Sequence, residues 1–432
     1  MSGVIKRFFY ILAAWLCFGQ ELPLNAEILR TADNRRQVRY AGKLSSKAVY
    51  IKNCPAPFRE FRGVWVAVVE NIDFPHHQTA ESFRKDFQKM ADRIAGAGFT
   101  AVIFQVRSNC DAMYYSSFSP YSRWLCGKEG VGFMKFDPLS FMISECHKRG
   151  LEFHAWLNPY RVCNATAMSK SAYLKTLAPK NFARQNPQWV IAQKTGGKLR
   201  LFLDPGVPQV ISHISDVVNE ILMKYPVDAI HFDDYFYPYD QLNHEDDSSF
   251  RCFNFHKLSK ANWRRNNTRN LIAAVKYKID NFNKKYRKKV KFGVSPFGIW
   301  ANIKTFRDGS LSAGKESYSI LYADTRRWVK ERLVDYIVPQ IYWHFDHDTA
   351  AYAALTDWWC STVSGTGVKL YIGHGAYRVG SASWGRDELV NQVRYNRMKK
   401  EISGSAFFSY RSLFGPKRQS GAVKLLDFYR MK

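Results

Sequence analysis

From Arg59 onward, one pattern of hydrophobic and polar positions recurs along the chain. A short β-branched or aromatic run is followed by a loop rich in Gly, Pro, Asn and aromatics, then by an amphipathic helical stretch. The runs predict strands over Arg62–Val69, Thr100–Arg107, Leu151–Asn158 and Val227–Asp233, then over Lys291–Phe297, Asp335–Tyr342, Val368–His374 and Ser405–Tyr410. Helical spacing follows each, over Glu81–Ala97, Pro138–Arg149, Pro208–Tyr225, Asn262–Tyr286, Tyr318–Arg332, Ala350–Val363, Arg386–Lys400 and Gly421–Met431. Eight alternations predict a parallel sheet covered by helices, and eight is the number that closes a (β/α)8 TIM barrel. The expected fold class is therefore α/β, with one barrel domain over residues 59–432. An open doubly wound sheet is the alternative, but no Gly-rich phosphate loop follows the first run.

The connections are asymmetric. Those from helix into the next strand are short, as in AGFT (Ala97–Thr100), RGLE (Arg149–Glu152) and YPVD (Tyr225–Asp228), whereas those after the second to fifth strands are long. Long C-terminal-face loops are where a barrel carries its site. Strand alternation then predicts which side chains face the interior. In the third run Phe153, Ala155 and Leu157 form the apolar outward set, leaving His154, Trp156 and Asn158 inward; in the fourth, Ile230 and Phe232 leave His231 and Asp233. The second run leaves Gln105 and Arg107. Ser295, Gln340 with Tyr342, His374, and Tyr410 or Arg411 are expected from the last four. So many polar residues converging at strand ends point to a site.

The pair Asp233-Asp234 carries the most chemistry. A paired acid can simply cap a turn, but this one ends an apolar strand and is followed by YFYPY (Tyr235–Tyr239). A carboxyl in an aromatic, poorly hydrated mouth has a raised pKa, which suits general-acid work. Catalysis is therefore assigned to Asp233 and Asp234. A second carboxylate from further away is also open, with Asp73, Asp111 and Asp324 as candidates, though Asp324 is as readily an N-cap or structural contact. Alternatively a substrate N-acetyl group is the nucleophile, and Asp233 and Asp234 divide the remaining roles. Trp65, Trp156, Tyr160, Tyr235, Trp300 and Trp343 offer flat faces for sugar rings, and Arg107 and Arg161 can pair with a carboxylate on the substrate.

Long segments resemble one family. They include FRGVWVAVVENIDFP (Phe61–Pro75), AVIFQVRSNCDAMYYSSFSPYS (Ala101–Ser122), FDPLSFMISECHKRGLEFHAWLNPYRV (Phe136–Val162) and VDAIHFDDYFYPY (Val227–Tyr239). Further on come VSPFGIWAN (Val294–Asn302), YADTRRWVK (Tyr322–Lys330), DYIVPQIYW (Asp335–Trp343) and LYIGHGAYRVG (Leu370–Gly380). In this order, over about residues 59–415, they resemble glycosyl-hydrolase-like family 10, a group of exported barrel proteins with a member that cuts peptide-free peptidoglycan glycan strands. The resemblance implies a hydrolase of cell-wall polysaccharide whose substrate is an N-acetylated glycan. Trp65, Asp73, Arg107, Asp111, Asn158, Tyr160, Arg161 and His231 are expected to bind it, with Tyr235, Ser295, Trp300, Gln340, Tyr342, Trp343 and His374. Glu70 departs from the pattern, standing where an uncharged residue is expected before Asn71-Ile72-Asp73. The competing function is a non-catalytic carbohydrate-binding barrel, which would keep the aromatics without needing the two aspartates.

Composition adds little to the fold but bears on setting. Lys6 and Arg7, the apolar stretch Phe8–Gly19 and a small-residue site ending at Ala26 predict an export signal over residues 1–26, followed by a polar leader over 27–58. Trp15 and Leu16 are bulky for a lipid anchor at Cys17, which leaves peripheral or lipid-anchored envelope association as the minor reading. The 64 Lys and Arg against 37 Asp and Glu give a net charge of +27 and favour anionic partners. The densest run, Lys284–Lys291, ends a helix, and no nucleic-acid motif accompanies it. Aromatic residues make up 16% of the chain, consistent with a sugar ligand beyond core needs. Seven of the eight Cys follow the signal without regular spacing, and His76-His77, His231 and His374 lack zinc-ligand spacing; no metal and no cofactor is expected.

Overall fold

The computed structural model describes residues 26–240, 242–381 and 383–431. Eight parallel strands close into a barrel: β1 (Phe61–Val66), β2 (Ala101–Arg107), β3 (Glu152–Leu157), β4 (Ala229–Phe232), β5 (Lys291–Val294), β6 (Tyr336–Ile337), β7 (Lys369–His374) and β8 (Ile402–Phe407). Each pairs with its neighbours in the chain, and β8 closes on β1 with Gly404 opposite Phe61. The regular ladder of β6 is short, but bridges from Gln340 to Phe297 and to Gly373 carry the pairing toward the C-terminal end. The last strand lies about three residues earlier than its predicted position, because Tyr410–Phe414 turns into a short helix.

Alternation sorts the side chains into two cores. Val64, Val66, Phe104, Phe153, Ile230 and Phe292 point outward under the helices, whereas Phe61, Trp65, Ile103, Trp156, Tyr336 and Tyr371 fill the barrel. Space for the large rings comes from glycines opposite them: a Cβ on Gly293 would fall 1.9 Å from the Tyr336 ring. The surrounding helices are α1 (Ala80–Gly96), α2 (Pro138–Lys148), α3 (Pro208–Lys224), α4 (Lys260–Tyr286), α5 (Thr325–Lys330), α6 (Tyr352–Val363), α7 (Glu388–Arg397) and α8 (Ser420–Arg430). In α1, Thr79 caps the first turn by accepting from Ser82 N, and Phe83, Phe87, Met90 and Ile94 recur at helical spacing to bury one face. Truncating Phe83 to Ala there is worth about 3–5 kcal/mol.

The stretch read as a leader is structured. Ala26–Ile28 pairs antiparallel with Tyr50–Lys52, Val38, Val49 and Ile51 are buried, and Lys43 N donates to Asp348 O at 2.9 Å. Apart from Ala26, the expected export signal and Cys17 lie outside the described residues. The long connection after β3 contains a three-stranded antiparallel sheet, Arg161–Thr166, Val190–Thr195 and Lys198–Leu203, with the last in the middle. It stands over the C-terminal mouth of the barrel and brings Arg161 and Asn164 to it.

Candidate active site

The chain at the end of β4 sets the site. Ile230 and Phe232 anchor the strand in the outer core, so His231 points inward and Asp233 follows it on the same side, one residue past the strand. On β3, Trp156 and Asn158 take the matching positions beside it, with Trp156 paired to His231 in register. Asp233 accepts from Trp156 Nε1 at 3.1 Å, Asn158 Nδ2 at 2.9 Å and the Tyr235 backbone N at 3.3 Å, and Arg161 Nη2 lies 4.0 Å away. Burial pushes the Asp233 carboxyl up; the Arg161 cation and the donors from Asn158 and Trp156 pull it back. Arg161 itself is held flat over the Tyr235 ring at 4.1 Å, and its backbone N donates to Asn158 Oδ1 at 2.9 Å.

Asp234 sits in a different environment. It is 2% exposed, contacts the Tyr239 hydroxyl and is near the Gln340 side chain. Burial, then the negative charge of Asp233, raises it to about 7. Burial raises both adjacent carboxyls, but Asp233 has the cation and the donors that favour its charged form, whereas Asp234 has the charge of Asp233 beside it, which favours keeping its proton.

Beneath the pair, His231 joins a buried chain of hydrogen bonds. The Trp65 indole can only donate, so His231 Nε2, 3.3 Å away, accepts from it, and His231 Nδ1 donates to Tyr336 Oη at 3.0 Å. The Tyr336 hydroxyl continues to His154 Nδ1 at 2.9 Å, and His154 Nε2 to Glu152 at 2.9 Å. Burial drives the His231 pKa well down, so it is neutral and holds Trp65 in place.

Above this floor lies a cavity of ≈ 440 Å³. Of the expected binding residues, Trp65, Arg161, Tyr235, Ser295, Gln340, Tyr342 and Trp343 line it together with Asp233 and Asp234. Asn158 and His231 lie just under it as supports. Gln105, read as inward, lines it too, its Oε1 held by the backbone N–H groups of Val68 and Val69.

Six expected contacts are elsewhere. Arg107 is turned into the outer layer because β2 has a register shift after Gln105; it donates to the carbonyls of Asn158 and Pro159. His374 also faces outward, stacked on Phe407 and bonded to Gln392 and Ser405. Asp73 is behind the wall, accepting from Ala67 N, Ser409 Oγ and Arg411 N. Asp111 closes a turn through Ser108 N, Asn109 N and Ser122 Oγ. Tyr160 is buried in the outer core. Trp300 donates to Asp324 and stacks on Trp358, while Asp324 caps α5.

Several lining residues had no assigned role in the sequence. Phe297 follows Ser295 at strand spacing and Tyr239 belongs to the aromatic run after the acids, so both carried a readable signal. Tyr377, Arg378 and Phe408 come from the connections after β7 and β8, and Asn164 from the irregularly paired strand Arg161–Thr166, where no clean period marks them. Glu70, with φ 54°, sits at the rim and accepts from Asn164 Nδ2 at 3.2 Å.

The comparisons with known proteins agree with this architecture. The family model described as Glycosyl hydrolase-like 10 matches residues 60–390, a span that contains β1 to β7 and both aspartates. Glycosyl hydrolase YngK of Bacillus subtilis (strain 168) is 38% identical over 366 residues, 82% of this chain and 69% of the relative. Glycosyl hydrolase DigH of Escherichia coli (strain K12) is 39% identical over 388 residues, 84% of this chain and 86% of the relative. Among solved structures, the PgaB (BpsB) glycoside hydrolase domain from Bordetella bronchiseptica shares the fold with a TM-score of 0.53 at 13% identity, over 88% of this chain and 100% of that one. With a closed eight-stranded barrel, an acid pair at the end of its fourth strand and relatives of this similarity, the chain belongs to the glycosyl hydrolase-like 10 family and is a glycoside hydrolase.

Proposed function

We propose that the protein is exported and hydrolyses an N-acetylated cell-wall-type glycan, with peptide-free peptidoglycan strands as its substrate. The observation that carries the mechanism is that Asp233 and Asp234 are the only acids lining the cavity among the described residues. Glycosidases of the usual kind need a second carboxyl across the sugar from the first, whereas an N-acetylated sugar can supply its own nucleophile. In this reading the acetamido oxygen attacks the anomeric carbon while Asp234 gives its proton to the leaving glycosidic oxygen. Ionised Asp233 accepts from the acetamido N–H and stabilises the positive charge that develops on the group. Asp234, now ionised, then takes a proton from the water that attacks the anomeric carbon and restores the acetamido group. Trp65, Tyr235, Tyr342 and Trp343 offer ring faces to flat sugars, and a cavity lined by such rings suits a strand without stem peptides better than one carrying them.

The test is turnover of purified strands, with and without stem peptides, by the wild type, Asp233→Asn and Asp234→Asn, with melting temperatures measured in parallel. Each substitution keeps the side chain's shape and removes the ionisable group, so the variants are expected to fold and lose ~10²–10⁴-fold or more in rate. Wild-type rates in both variants overturn the assignment. Wild-type protein that binds strands and never cuts them points instead to a binding barrel.

A further inference from the structure

The cavity has a neighbour on the side of β7 and β8. The loop after β7 turns through Ala376–Arg378, and its Tyr377, 48% exposed, lines both the main cavity and a smaller one of ≈ 290 Å³. The smaller one is bounded by Val379 on this loop and by Arg411, Pro416 and Lys417 on the loop after β8. The shared wall is held in place: Tyr377 meets Tyr342 at 5.9 Å and Phe408 at 6.2 Å, edge to face in both cases. A cavity this size falls just short of the ~300–1,000 Å³ of free-standing ligand sites, so it reads as an annex to the main cavity.

What sets it apart is that its cations stand beside the main cavity. Arg411 and Lys417 line it, Arg378 lines the main cavity and Arg418 follows Lys417. All four are exposed, and none has a carboxylate within ion-pair distance among the described residues, although the Arg411 guanidinium reaches the Ile72 carbonyl at 3.5 Å and its charge is felt by Asp73. On the helices nearby, Arg394 pairs with Glu27, Arg397 with Glu60 and Lys424 with Asp387, and Lys399, just after α7, pairs with Asp357. Guanidinium and ammonium groups without ion-pair partners at one end of a sugar cleft attract a negative group on the chain that leaves the cleft.

We infer that the annex is a secondary subsite that takes a carboxylate-bearing sugar residue next to the one in the main cavity, with Arg411 and Lys417 as its anion contacts and Tyr377 as the step between the two. The inference rests on the glycan-hydrolase reading above. It is tested with three substrates: peptide-free peptidoglycan strands, neutral N-acetylglucosamine chains of matched length, and a short fluorogenic N-acetylglucosaminide that fills only the main cavity. In Arg411→Gln/Lys417→Gln, KM for the anionic strands is expected to rise about tenfold with kcat unchanged, while both neutral substrates keep their wild-type constants. Lys417→Gln alone, at an exposed position, gives a smaller rise and guards against a folding defect at Arg411, whose backbone N is bonded to Asp73. An unchanged KM for the anionic strands, or equal losses on the neutral chains, overturns the subsite. Wild-type protein that cuts none of the three substrates overturns the glycan-hydrolase reading itself, and the subsite with it.

Discussion

Asp234→Asn should abolish activity and at the same time stabilise the fold progressively as pH rises. The Asp234 carboxyl moves from 3.8 to about 7 on folding, through burial and the charge of Asp233. Because its folded pKa lies above its unfolded one, the folded protein holds a proton that the unfolded chain releases between those values. The stability contributed by the neutral carboxyl is complete below 3.8 and is lost as pH rises through about 7. At about 1.4 kcal/mol per pH unit, that loss comes to ~4 kcal/mol between pH 4 and pH 8. Asn has no such proton to lose, so the stability gap between variant and wild type should widen by that amount over the same interval. For a chain of this length the gap corresponds to several degrees in melting temperature. The assay is calorimetric or fluorimetric melting of both proteins from pH 4 to pH 8. A gap that stays constant with pH, or that narrows toward pH 8, refutes the claim that Asp234 is a buried acid kept neutral by its surroundings.

For the same acid, kcat/KM on glycan strands should fall about tenfold per pH unit above about 7, as the proton donor is lost; a flat profile from pH 7 to pH 9 removes Asp234 from the acid role. Asp73→Ala leaves Ala67 N, Arg411 N and the Ser409 hydroxyl without their acceptor, and should lower stability by about 1–3 kcal/mol per group left unpaired. Its effect on kcat should be far smaller than that of Asp234→Asn, which strand turnover at matched folded fraction will show. Tyr160→Phe removes a buried hydroxyl without a partner, so melting temperature should hold or rise and kcat/KM should stay within about twofold; a large loss of activity would return Tyr160 to the site.

How far the sequence could be read depended on whether alternation was clean. In β3 and β4 every outward position is apolar, so the inward set, Trp156, Asn158, His231 and Asp233, could be named and stands at or under the cavity. In β2 the register shift after Gln105 breaks the period, and the next polar residue, Arg107, faces the helices; a slip of one residue turns a side chain to the opposite face. In β7 the inward position is Gly373, whose Cβ would lie 3.1 Å from the Trp65 ring, so no polar residue there signals the interior. The eye falls instead on His374, an outward histidine satisfied by Gln392 and Ser405. The stretch before β1 looked featureless because its buried apolar residues are sparse: Leu29 and Val38 stand far apart, and Val49 and Ile51 alternate over too short a run to mark a strand.

The loop acids show where a residue type stops being informative. Asp111 and Asp324 were open as second carboxylates, yet both serve backbone N–H groups close by: Asp111 takes Ser108 N and Asn109 N, and Asp324 takes Arg327 N. Their local partners are readable in the sequence, since a short acid at a turn or helix start takes such donors; Asp324 is the N-cap that stood as its other reading, and Asp111 serves a turn in the same way. Asp73 had no such signal, because two of its three partners, Ser409 and Arg411, come from the other end of the chain and meet it only when β8 closes on β1. Only the closed barrel therefore reduces the acids lining the cleft, among the described residues, to Asp233 and Asp234. That elimination, more than the presence of two neighbouring aspartates, is what supports the proposed mechanism, in which the protein gives a proton and a fixed negative charge and an acetamido group on the substrate gives the attacking atom.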